Sequence, residues 1–161
     1  MIVNENTHIV DDIAAFDWIA DHLIEQDTQS KDDGGTCLYR GPEGTACAVG
    51  CLIADNTYEG WFETTAVDDD YIIEAVVASN PEWKIGDKQI HMLLVLQYVH
   101  DNHTPYTWKY DLDLLRMVLF PNRKNYDPDQ VMSKRGIHLF SRNVKEFVQE
   151  TISIASEMRK R

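Results

Sequence analysis

A chain of 161 residues with 43% hydrophobic and 26% charged side chains has the balance of a soluble globular protein, and its length accommodates one domain over residues 1–161 rather than two cores. The formal net charge of −12 is spread unevenly: residues 1–80 hold 17 Asp and Glu against Lys31 and Arg40, whereas residues 81–161 hold 10 acids against 13 bases. An acidic half of this kind disfavours nucleic acid and anionic membrane at its surface and favours a basic protein partner, although acids also serve solubility alone.

The start, Met1-Ile2-Val3-Asn4, lacks the basic region of a signal peptide, and no apolar run approaches the roughly 20 residues that span a bilayer. A cytoplasmic location without a membrane partner is the expectation. Asp11 or Asp12 then caps a helix in which Ile13, Phe16, Ala20, Leu23 and Ile24 recur at three- and four-residue spacing. Asp17, Asp21 and Glu25 fall on its other side. The polar run ending in Gly34-Gly35 reads as a loop.

The densest stretch follows, from Cys37 to Asp55. Pro42 suits the second position of a β-turn and Gly44 its fourth, so Gly41 to Gly44 predicts a tight reversal inside a small β-hairpin near residues 36–49. Beyond it, a helix is expected from about Cys47 to Asp55. Trp61 and Phe62 read as core anchors beside a turn. Asp68, Asp69 and Asp70 offer an N-cap for a helix over 71–79, closed by Asn80-Pro81. The triple Asp lacks the loop spacing of a calcium site.

Lys88 to about Asn102 is the most apolar helix and the expected centre of the fold, stopped by Thr104-Pro105. Asp111 or Asp113 opens another helix that Pro121 closes, and a last helix is predicted over 141–159 after a polar loop. The fold class expected is mainly α (α+β), a bundle of five or six helices with one small hairpin.

The pattern C-x-Y-R-G-x-x-G-x-x-C-A-x-G-C-L-I-x-D-x-x-Y-E-G, filled by Cys37 through Gly60, resembles a group of small hypothetical proteins of bacteriophages and bacteria. A second likeness to that group is the helix end L-Q-x-x-H-D, here Leu96 to Asp101. The resemblance covers roughly residues 15–110 and implies a phage or mobile-element origin, with no activity to carry over. Residues 121–161, a loop and helix, have no counterpart in it.

Several chemistries are open to these residues. Cys37, Cys47, Cys51 and His100, with His103 nearby, are ligand types for structural zinc. A regular hairpin, however, would turn Cys37 and Cys47 to opposite faces, with Leu38 facing Cys47. Cys47 at a helix start, with His100 as base, would make a thiol nucleophile. Asp101 is one helix position from His100, about 100° around the axis, so Asp55 or Glu59 is the better orienter. Odd, apolar-flanked cysteines point instead to buried reduced thiols. Tyr39, Arg40, Gly41 and Gly44 could hold a small or nucleotide-like anion, against an internal ion pair of Arg40 with Asp55, Glu59 or Asp101. No phosphate-binding loop or nucleophile elbow occurs, and no cofactor is implied. The leading function is an accessory protein that binds a basic host or phage protein through Asp17, Asp21, Glu25, Asp68, Asp69 and Asp70, with inhibition of a defence or metabolic system as one form.

Overall fold

Asp11 sets the first helix: its carboxylate accepts the Ala14 N–H at 2.7 Å, and α1 runs Asp12–Gln26. Asp27, in the left-handed region at φ 50°, ends it by returning its N–H to Leu23. The computed structural model describes residues 1–120 and Ser153. Within them α2 spans Asp70–Ser79, α3 Asp87–Asn102 and α4 Pro105–Leu119, so the described part is mainly helical with four α-helices. No helix among the described residues is long and apolar enough to cross a membrane. The helix expected over 141–159, and the loop before it, lie outside them apart from Ser153.

α1, α3 and α4 pack on one another. Phe16, Ile19 and Leu23 of α1 meet Leu93 and Leu96 of α3 and Trp108, Leu112 and Leu115 of α4 in one fully buried cluster. α2 is tied on differently. Its Ser79 hydroxyl accepts the Ala54 N–H at 2.9 Å, and the Asn80 amide donates to Leu52 and Val76 carbonyls at 2.8 Å.

The structure corrects the sequence in several places. The expected hairpin near 36–49 is absent: two isolated antiparallel bridges, Lys31 with Cys37 and Arg40 with Ala46, stand in its place. Thr45 returns its N–H to Pro42, which lengthens the turn by one residue and ends the pairing after a single bridge. The helix expected from Cys47 to Asp55 is one 3₁₀ turn, Gly50–Leu52. Gly50 is pressed against the Tyr39 backbone there. The Arg40 guanidinium takes the Ile53 carbonyl and shares the Gly50 carbonyl with the Ile53 N–H, which closes the turn at 3.2 Å.

α4 begins at Pro105, not at Asp111 or Asp113. Proline is as well suited to the first turn of a helix as to stopping the previous one. His103 and Thr104 alone separate α3 from α4. Asp111 and Asp113 therefore lie inside α4, both buried. Asp111 accepts from His103 Nδ1 at 2.8 Å and Thr107 Oγ1 at 2.7 Å, and Asp113 from Arg116 at 3.0 Å. Phe62 is buried as expected, but Trp61 is on the surface.

Candidate functional site

The Cys37–Gly60 motif and the C-terminal end of α3 meet at a cavity of about 240 Å³. Leu38, Val67 and Leu94 supply apolar wall, and Glu63, Asp68 and Asp101 bring carboxyl groups to it. Cys37 and Cys47 both line it, which a regular hairpin would not have allowed. Among the described residues, one group of three potential metal-ligating atoms lies together: those of Cys37, His100 and Asp101, all within 4.8 Å of one another.

His100 decides what this group can do. Its Nε2 accepts the backbone N–H of Ser30 at 3.0 Å, and a backbone amide can only donate, so Nε2 carries the ring's lone pair. The ring proton is then on Nδ1, which donates to Asp101 Oδ1 at 2.8 Å. Asp101 is thus an orienter of His100 after all, against the expectation from their angular separation. The 100° holds at Cβ, but the ring and the carboxylate swing toward each other beyond it. Gln97 donates to the same oxygen at 2.7 Å and accepts the Val49 N–H at 3.1 Å, and His100 stacks on Trp108 with ring centroids 5.5 Å apart. Neither nitrogen is left for a metal or for a thiol proton unless the Ser30 amide or the Asp101 contact is given up.

The thiols are equally committed. Cys47 is buried and accepts the Gly50 N–H at 3.3 Å; burial pushes its thiol up to about 12. The helix start that would lower it is missing. Burial, then the Asp101 charge, pushes Cys37 up to about 12. Cys51 donates to the Ala48 carbonyl at 3.1 Å and is raised by burial as well.

Arg40 is a clasp. It donates to the Gly50 carbonyl at 2.8 Å, to the Ile53 carbonyl, and to Asp55 Oδ1 at 3.1 Å, and its guanidinium lies over the Tyr58 ring at 5.2 Å. Its side chain is 15% exposed. Tyr39 donates its N–H to Glu63 at 2.7 Å and its hydroxyl to the Thr65 carbonyl at 2.7 Å. A Cβ at Gly41 would collide with the Ser30 and Thr45 hydroxyls, while Gly44, at φ 75°, has open space beside it. Of the four residues considered for an anion, Arg40 is therefore spent within the motif, Tyr39 ties it to Glu63 and Thr65, Gly41 packs tightly and Gly44 has open space beside it.

Among the acids, Asp17 pairs with Arg116 at 3.1 Å, Asp69 caps α2 through the Tyr71 N–H at 3.0 Å, and Asp68 is half-buried at the cavity. Asp21, Glu25 and Asp70 are exposed, as is Glu59. Asp55 lies against Arg40 and does not line the cavity that Cys47 lines. Two features escaped the sequence reading. Glu63, which binds the Tyr39 and Arg40 amides, gives no signal of its own. Tyr71 had a signal: the apolar Ile72, Ala75 and Val76 at helical spacing turn it outward, where it meets Trp61. Comparison with known proteins finds no matching family model, no matching curated protein and no matching solved structure.

Proposed function

We propose that this chain is an accessory protein of a bacteriophage or mobile element that engages a host or phage protein through its acidic surface. One observation carries the binding reading. Asp21 and Glu25 on α1 and Asp70 and Glu74 on α2 are exposed, and no described Lys or Arg stands within ion-pair distance of them. Arg40, one of two bases among residues 1–80, faces inward. Such a surface speeds association with a basic partner and loses that advantage as salt rises. The phage attribution rests on the likeness of Cys37–Gly60 and Leu96–Asp101 to small phage and bacterial proteins. Inhibition of a defence or metabolic enzyme follows if the basic surface covered is that enzyme's working site.

The test is affinity capture from a bacterial host lysate, followed by association kinetics with the captured protein. Association should slow markedly between low and physiological salt, and Asp21→Lys, Glu25→Lys and Asp70→Lys together should abolish that dependence. Asp17 is left out because it pairs with Arg116. Unchanged affinity and unchanged salt dependence in the reversed protein would overturn the reading.

A further inference from the structure

Ile72, Ala75 and Val76 point α2 at the core, which at about 100° per residue turns Asp70, Tyr71, Glu74 and Val77 outward; all of these are exposed. Trp61, in the turn before the helix, stands against Tyr71 with ring centroids 5.2 Å apart and planes at 87°. Trp61 is 50% and Tyr71 61% exposed. Scattered exposed apolar residues need no explanation, but Trp and Tyr in contact at a surface are the residue types that anchor partners. The buried Phe62 ring, 4.7 Å from that of Trp61, holds the indole in place from the core side.

The surroundings set the ligand's chemistry. From residue 41 to 83 the chain has no Lys or Arg, while Glu59, Asp70 and Glu74 are exposed within that span. Aromatic faces attract cations, and the acids add attraction at longer range. A guanidinium suits such a place better than an ammonium, since it is flat, weakly hydrated, and can stack on a ring while its edge donates to a carboxylate. The protein already uses this arrangement internally. Arg40 lies over Tyr58 and pairs with Asp55, and Arg116 lies over Phe16 and pairs with Asp17. Among the described residues no cation lies over Trp61 or Tyr71.

We propose that Trp61 and Tyr71, with Asp70 and Glu74 beside them, form the docking point for an arginine side chain of a basic protein partner. This rests on the protein-binding reading above and names its anchor and the residue it takes.

The experiment is an NMR titration of the full chain with a short peptide of alternating Arg and Ser, and with its Lys twin, following the Trp61 indole N–H, assigned through Trp61→Phe, and, in every variant, the backbone amides of α2. The Arg peptide should move that resonance and bind several-fold more tightly than the Lys peptide. Trp61→Ala and Tyr71→Ala should each weaken it by roughly tenfold, and Trp61→Phe, which keeps a ring, by much less. Equal binding of the two peptides, or undiminished binding to both Ala variants with their melting temperatures retained, overturns the proposal. So does movement of the Trp61 resonance, without peptide, when Arg159, Lys160 and Arg161 are replaced by Ala, which would assign the site to the chain itself. The two readings fail separately: capture that depends on Asp21 and Glu25 but not on Trp61 removes only the arginine anchor. Capture indifferent to every acidic reversal removes the acidic-surface reading, while the peptide titration still decides the anchor.

Discussion

Gly50 lies so close to Tyr39 that a Cβ on it would fall within contact distance of the tyrosine's carbonyl oxygen, carbonyl carbon and Cα together. All three are backbone atoms, so no rotamer change can make room. Gly50→Ala should therefore destabilise the protein by about 3 kcal/mol, near the upper end for overpacking. Gly44→Ala, where φ is 75° and nothing is near, should cost only about 1 kcal/mol of backbone strain. Urea unfolding midpoints of the two variants provide the check, and equal losses would contradict the packing account.

His22 gives a pH dependence with a definite sign. Burial lowers it to about 4, outweighing the Ala46 carbonyl that accepts from its Nε2 at 2.9 Å. Between its ordinary value of 6.5 and about 4, the unfolded chain takes up a proton that the folded protein refuses. Stability from this group is thus full above about 6.5, falls as pH drops to about 4, and is flat below. The loss is on the order of 3 kcal/mol. Unfolding free energies for the protein and for His22→Gln should differ in slope in that window and run parallel above it.

The native thiols should be nearly inert. With Cys37 and Cys47 raised to about 12 from an ordinary 9.0, the thiolate fraction at neutral pH is lower by about three orders of magnitude. Iodoacetamide should label the folded protein very slowly and the urea-unfolded protein quickly at Cys37, Cys47 and Cys51. Rapid native labelling of Cys47 would instead revive a nucleophilic role.

Arg40→Ala should lower stability by roughly 1–3 kcal/mol, chiefly by stranding the Ile53 carbonyl, since the Gly50 carbonyl keeps the Ile53 N–H. The Asp55 partner contributes little, because its side chain is 86% exposed and its charge is screened by water. Asp55→Asn should accordingly shift the melting temperature far less, and mild acid should rescue Arg40→Ala hardly at all. Substantial acid rescue would mean that carboxylates, not carbonyls, are what the guanidinium serves.

Helices were legible where side chains repeat on their own element. Phe16, Ala20 and Leu23 announce α1, the Asp run before Tyr71 announces α2, and the apolar length after Asp87 announces α3. Pro105 was ambiguous because the same ring that stops one helix starts the next. Residues 27–69 were harder to read for a different reason: several of their amides are paired by side chains distant in sequence. Ala46 N–H goes to Gln26 and Val49 N–H to Gln97, and no local period records such pairings. The candidate site shared that difficulty. Cys37, His100 and Asp101 could be named in advance, but the Ser30 amide that fixes the imidazole's proton comes from a position with no pattern at all.

That irregular stretch has a consequence for the order in which the protein opens and closes. Ser30, Ala46, Val49 and Ala54 hand their amide hydrogens to His100, Gln26, Gln97 and Ser79, residues carried by α3, α1, α3 and α2. Each of these bonds needs its helix in place, so the segment should gain its structure together with or after the helices, not before them. The acceptors of Ser30 and Val49 are themselves buried side chains of α3. In deuterium exchange the four amides should therefore track the helices that hold them, giving a stretch without strands or long helices the protection of a core element.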